Sequence, residues 1–263
     1  MSQPAAEQSI PMVLESRNGG VATLTLNRAA QFNALSQQMM TALQTALEEI
    51  AKDDAVRVVV LAAEGRAFCA GHDLKQMRAT PALDYYQTLF RQCSKLMLTI
   101  QQLPQPVIAR VQGIATAAGC QLVSMCDLAV ASSDARFAVS GINFGLFCAT
   151  PSVGLSRNVS RKQALEMLLT GDFIDAPTAL ARGLVNRVAA PEQLDAEVAK
   201  LTASILSKPA VAVAMGKQLF YKQLEMGIDA AYQLAGQTMA CNMMDAAALE
   251  GVQAFIEKRA PQW

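Results

Sequence analysis

Two loops carry the residues that could do chemistry, and both set small side chains between a strand and the start of a helix. The first runs Phe68-Cys69-Ala70-Gly71-His72-Asp73-Leu74, the second Gly113-Ile114-Ala115-Thr116-Ala117-Ala118-Gly119-Cys120-Gln121. Small residues let a ligand approach the backbone, and free N–H groups at a helix N-terminus attract developing negative charge. Two such groups aimed at one carbonyl oxygen make an oxyanion hole. Either loop alone reads equally as close helix–strand packing; the pair points to a site.

Several other chemistries drop out. His72 is the single histidine, so a Ser-His-Asp hydrolase would have to use it, and no G-x-S-x-G turn supplies the serine. No metal site needing two histidines can form, and the six cysteines are scattered without a C-x-x-C pair, against structural zinc or a disulfide framework. The phosphate-cradling patterns G-x-x-x-x-G-K-[ST] and G-x-G-x-x-G are absent. His72 remains the one side chain with an ordinary pKa near neutrality. Cys120 and Cys148 could act as nucleophiles, and Ser140, Asn143 and Thr150 could hold a water, with packing and turn hydrogen bonding as the competing readings.

The elements that must position these loops are legible as apolar patterns. Residues 12–16 and 21–26 read as strands joined by an Asn18-Gly19-Gly20 turn, and 56–63 is a continuous apolar run of the kind buried on both faces. Leu35, Met39, Leu43, Ala46, Leu47 and Ile50 recur at helical spacing behind an N-cap at Ser36. A helix over 84–101, a strand over 107–111, a helix through Cys126 and a strand over 128–132 follow, with weaker signals for a strand at 137–139 and helices at 161–169 and 177–182. From Pro191 every strong period is helical: 192–207, 209–225, 227–244 and 246–258. The expectation is an α/β core over 1–190 and a helical extension over 191–263 that packs on its own core or forms an oligomer interface.

Charge and composition narrow the partners. The 22 basic and 22 acidic residues cancel, against nucleic-acid binding or polybasic membrane docking. With 52% hydrophobic and 17% charged residues there is material for a core, and no apolar run approaches the roughly 20 residues of a membrane span. The start, MSQPAAEQSIP, lacks a signal-peptide pattern, so the expected location is cytoplasmic.

Taken in order, LNR...FNAL (26–35), RAFCAGHDL (66–74), VQGIATAAGCQLVSMCDLAVAS (111–132), LLTGDFIDAPTALARGLVNRV (168–188) and FIEKR (255–259) resemble the crotonase, or enoyl-CoA hydratase/isomerase, superfamily across nearly the whole chain. The resemblance implies a spiral of ββα units followed by helices that form a trimer or a dimer of trimers. It implies an acyl-CoA substrate, with coenzyme A as part of that substrate and neither a further cofactor nor a metal. It assigns the oxyanion N–H groups to Ala70 and Ala118, runs the thioester past Ala70, Gly71, His72 and Asp73, and gives Asp73 a loop-organising role. The nucleotide would lie near Ala30, Gln31 and Ala34, with Phe255 and Lys258 of a neighbouring subunit as cover.

The departures bear on the reaction. The family's two hydratase glutamates match Gln121 and Gly141, and neither can exchange a proton at neutral pH. Losing a positioned acid or base costs about 10²- to 10⁴-fold, so a slow hydratase or isomerase is expected. A thioesterase, or an acyl-CoA binder without turnover, are the alternatives. Gly141 also suggests a space where a bicarbonate could serve as base, as in the related dihydroxynaphthoyl-CoA synthases.

Overall fold

The computed structural model describes residues 10–263; the MSQPAAEQS start of the sequence lies outside the described residues. Strands β1 (Val13–Asn18) and β2 (Val21–Leu26) form an antiparallel hairpin, with Gly19 and Gly20 at φ +55° and +83° making the turn that the sequence predicts. Helix α1 (Gln37–Ile50) begins behind Ser36, whose hydroxyl accepts the Met39 N–H, and buries Met39, Met40, Leu43, Leu47 and Ile50.

The chain then repeats one unit: a strand in a large sheet, a short strand in a small sheet, and a helix. The first repeat is β3 (Val58–Ala63), β4 (Ala67–Cys69), α2 (Leu74–Ala79) and α3 (Leu83–Gln102). The second is β5 (Val107–Val111), β6 (Ile114–Thr116) and α4 (Ala118–Met125). The third is β7 (Leu128–Ser132), β8 (Arg136–Ala138), α5 (Ala149–Asn158) and α6 (Arg161–Thr170). Strand β9 (Ile174–Asp175), helix α7 (Ala176–Ala181) and β10 (Arg187–Ala189) close it. The large sheet has the order β1-β2-β3-β5-β7-β10 and is parallel after the hairpin; the small one has the order β4-β6-β8-β9. This is the spiral of ββα units implied by the resemblance.

β3 shows why the order holds. Alternate side chains face opposite ways, so Val59 and Leu61 join the main core with Leu24, Leu26 and Leu43, while Val58 and Val60 meet Ile108, Val130, Leu194 and Val198 on the other face. Each such burial contributes roughly 1.5–3 kcal/mol, and a one-residue slip would swap the two faces. Helix α8 (Leu194–Leu206) supplies the second cover.

Helices α9 (Ala210–Leu224), α10 (Ile228–Met243) and α11 (Ala246–Ile256) complete the chain, close to the predicted spans. A buried ion pair locks α9 to the core. The Lys217 ammonium donates to the carbonyls of Ile100 and Gln105 at 3.0 and 2.9 Å and to Asp127 at 2.7 Å, while Asp127 also accepts from Tyr221 and the Val107 N–H. No single helix among the described residues is long and apolar enough to cross a membrane.

Candidate active site

The site forms where three segments of distant sequence meet. Residues 28–35 fold through a short 3-10 helix (Ala29–Gln31) into a left-handed stretch, Phe32 and Asn33, with φ +51° and +54°. Asn33 is fully buried and holds that shape: its amide donates to the carbonyls of Glu64 and Ala67 at 2.8 Å each, and its oxygen accepts the Arg28 N–H. The segment then clamps the first glycine-containing loop. Ala70 N–H donates to the Phe32 carbonyl at 3.0 Å, Leu35 N–H to Gly71 at 2.7 Å, and Asp73 N–H to Leu35 at 3.4 Å.

That clamp moves the first candidate donor. Ala70, expected to offer its N–H to the oxyanion, spends it on Phe32. Two residues on, His72 N–H has no acceptor among the described residues, because the bridge to Leu35 uses the N–H groups of Leu35 and Asp73 instead.

The second loop approaches from β6. Ala117 turns the chain into α4 at φ +50° and ψ −122°, a conformation that costs an alanine about 1–3 kcal/mol and leaves the Ala118 N–H as an orphan first-turn donor. Gly119 lets α4 seat on β4: a Cβ there would lie 2.0 Å from the Cys69 carbonyl oxygen. A Cβ on Gly71 would likewise come within 2.9 Å of the Ala117 Cβ and 3.2 Å of the Ala118 nitrogen, so the two loops touch at this point. His72 and Ala118 line one cavity of about 210 Å³, walled by Leu74, Met77, Phe90, Phe144, Leu146, Phe147 and Pro151.

The cavity wall is largely apolar. Among the described residues its polar side chains are those of His72, Ser140, Cys148 and Thr150, and no charged side chain lines it. Ser140 and Thr116 share a 2.8 Å hydroxyl contact. Both ring nitrogens of His72 are shut off from solvent without a hydrogen-bond partner, and the ring stands edge-on to Phe90 with centroids 5.6 Å apart. Burial lowers its pKa from 6.5; the nearby Leu35 carbonyl pulls the other way without meeting hydrogen-bond geometry.

The two positions of the family glutamates behave differently from each other. Gln121 is buried, lies off the cavity wall, and accepts the Cys93 thiol in a weak 3.9 Å contact. Gly141 lines the cavity, yet its side-chain direction is filled: a Cβ would lie 2.5 Å from the Leu146 carbonyl oxygen and 2.8 Å from Cys148 Sγ, which also accepts the Gly141 N–H. A side chain at Gly141 is therefore blocked by the chain itself. Burial also raises the thiol pKa values of Cys148 and Cys120, the latter to about 12, which leaves both unreactive as thiolates at neutral pH.

Asp73 is committed to the loop. One oxygen accepts the N–H groups of Lys75 and Gln76, capping α2, and the other accepts Arg28 at 2.7 Å. Burial would raise its pKa, but Arg28 and the two N–H groups outweigh that and hold it below 3.8. Ala30 and Gln31 are exposed on the rim segment and Ala34 is buried beneath it; Phe255 and Lys258 are exposed and stand off this chain's own cavity. Spacing gave no signal for Phe90, Phe144, Leu146 and Phe147 as cavity walls, since they come from α3 and from an irregular segment. Among the described residues no group of three or more His, Cys, Asp or Glu side chains is placed to hold a metal ion.

Comparison with known proteins agrees with this architecture. The chain is 43% identical to the rat protein named enoyl-CoA hydratase domain-containing protein 3, mitochondrial, over all of this chain and 88% of the relative. A crystal structure of an enoyl-CoA hydratase from Mycobacterium smegmatis is 63% identical and superposes with a TM-score of 0.96 over 97% of this chain and 99% of that one. The crystal structure of human enoyl-CoA hydratase domain-containing protein 3 is 42% identical, with a TM-score of 0.93 over 96% and 100%. The cytoplasmic expectation is corrected by these relatives: the rat, mouse, frog and human proteins are all named mitochondrial. The sequence start that suggested it is also outside the described residues. Residues 16–263 match the model of the enoyl-CoA hydratase/isomerase family, and with the ββα spiral and the paired loops in place, the chain belongs to that family.

Proposed function

We propose that the protein binds an acyl-CoA thioester and holds its carbonyl oxygen on the backbone N–H groups of His72 and Ala118, stabilising an enolate. The observation that carries this reading is that His72 and Ala118, whose N–H groups have no acceptor among the described residues, line one apolar cavity. Donors fixed by loop geometry need no reorganisation as charge develops, and removing one such donor elsewhere costs about 10²- to 10³-fold in rate. The apolar wall suits a fatty acyl chain, and the exposed rim at Ala30 and Gln31 leaves room for the nucleotide outside. Reaction at the α- and β-carbons of an enoyl-CoA, by isomerisation or slow hydration, is the chemistry an enolate site serves. Three-fold assembly through the helical extension, as trimer or dimer of trimers, completes the proposal.

A cavity wall with no carboxylate among the described residues favours a second reading, a binder that holds the thioester without turnover. Calorimetry with free coenzyme A and with acetyl-, crotonyl- and longer acyl-CoA, alongside turnover on the same preparation, separates the readings. Acyl-CoA should bind more tightly than coenzyme A, with affinity growing with chain length. Failure of every thioester to bind would sink the site.

A further inference from the structure

We propose that the Ala117 methyl sets the acyl specificity of the site: it excludes a branch at the carbon next to the thioester carbonyl, so that the ligand class is acyl-CoA unbranched at C2. The inference rests on the acyl-CoA reading above and names the substrate class of that site.

The backbone of Ala117 carries the first part of the case. Its φ of +50° and ψ of −122° are those of the first central residue of a type II′ turn, a position that suits glycine because a Cβ there crowds the chain. Phe32 differs: at φ +51° and ψ +34° it lies in the ordinary left-handed region. The conformation of Ala117 is imposed from both sides. Its N–H donates to the Ala138 carbonyl at 3.0 Å, in line with the pairing of β6 and β8, and its carbonyl accepts the Gln121 N–H at 3.0 Å in the first turn of α4. A strain that glycine would remove, kept at the edge of a candidate site, points to a use for the methyl.

The methyl stands where the two donor-bearing loops meet. A Cβ on Gly71 would lie 2.9 Å from the Ala117 Cβ, so of these two facing positions only one can carry a side chain, and it is the one on the second loop. Gly71 precedes His72 and Ala117 precedes Ala118, the two residues whose N–H groups have no acceptor among the described residues. Ala117 lines the same cavity as both. A carbonyl oxygen shared by those N–H groups therefore brings its neighbouring carbon up to the methyl, on the side where the cavity takes the acyl chain. Hydrogens on that carbon fit, whereas a branch meets a methyl that has no other rotamer to adopt. Further along, Met77, Phe90, Leu146 and Phe147 form the wall, and these side chains can turn to accommodate a branch at C3.

The test measures the affinity of the full chain for saturated thioesters, which lack a double bond to isomerise or hydrate. Butyryl-CoA and isobutyryl-CoA are isomers of equal size, the second branched at C2; valeryl-CoA and isovaleryl-CoA are the matching pair for C3. The wild type should bind isobutyryl-CoA at least about 10-fold more weakly than butyryl-CoA, as one misplaced methyl in a shaped pocket costs, and should bind the C3 pair within about 3-fold. Ala117→Gly should bring the C2 pair to within about 3-fold. Its urea midpoint should rise, because glycine takes this conformation without strain. A merely structural role would shift all four ligands together, whereas the proposal moves the ratio of branched to straight. Equal wild-type affinity for the C2 pair, an equal penalty at C3, or a ratio unchanged in Ala117→Gly would overturn the inference, and a lower urea midpoint would overturn the strain beneath it. A wild type that binds none of the four would instead overturn the acyl-CoA reading. Should the variant not fold, the wild-type comparison of the C2 and C3 pairs decides alone.

Discussion

At the residue scale, the two positions that the resemblance matches to the family's glutamates, Gln121 and Gly141, sit in different surroundings. Gly141 is locked by the Leu146 carbonyl and Cys148 Sγ, so Gly141→Glu should restore no hydratase activity and should destabilise the fold by about 1–3 kcal/mol, the usual cost of overpacking, readable as a lower urea midpoint. Gain of fast crotonyl-CoA hydration by that variant would contradict the packing described. His72 gives a pH signature. Its folded pKa lies below the unfolded 6.5, so its contribution to stability is full above pH 6.5 and is lost as pH falls from there through the folded value. Denaturant melts at pH 7.5 and 5.5 should therefore show a larger acid-side loss in the wild type than in His72→Gln; an equal loss in both would refute the depressed pKa. The resemblance sets the two donors on Ala70 and Ala118; the Ala118 N–H has no acceptor among the described residues, whereas the Ala70 N–H is bonded to Phe32 and the unspent N–H lies two residues on, at His72. The reason is physical: the bond from Ala70 to Phe32 joins loops distant in sequence, and no local pattern records it.

At the element scale, legibility followed length. α1, β3, α3 and the C-terminal helices each bury a periodic face long enough to read, β8 and α7 gave only weak signals at 137–139 and 177–182, and β4 and β6, with three residues each, gave none because they are defined by pairing. α5 was missed because Gly154, Pro151 and polar residues blur its period. Those short strands position the site, and Asn33 is their tie to the rim. Asn33→Ala leaves the Glu64 carbonyl and the Arg28 N–H without their partner, takes one of two donors from the Ala67 carbonyl, which Gln112 also bonds, and forces alanine to φ +54°; a loss of about 2–4 kcal/mol is expected, with weaker acyl-CoA binding. Unchanged thermal melting would contradict the clamp.

At the scale of the whole molecule, the helical extension is fastened from within and unfinished outside. Lys217→Met strands the buried Asp127 carboxylate, for which about 3–5 kcal/mol of destabilisation is expected by chemical denaturation. The extension carries Ile228, Tyr232, Met239, Met244, Phe255 and Ile256 exposed, large apolar side chains that a partner chain would cover. Sedimentation should accordingly give a mass of three or six chains; a 28.1 kDa species at micromolar concentration would rule out the assembly. The sequence showed these helices through their periodicity, but which faces lack cover became visible only once the core was packed.

The central claim is that a thioester carbonyl sits on the N–H groups of His72 and Ala118, and the most direct measurement is the infrared difference spectrum of a [1-¹³C]acyl-CoA bound to the protein. Two convergent donors polarise the C=O bond, so the labelled stretch should move to lower frequency than in free ligand. Binding with the stretch unmoved would contradict the claim.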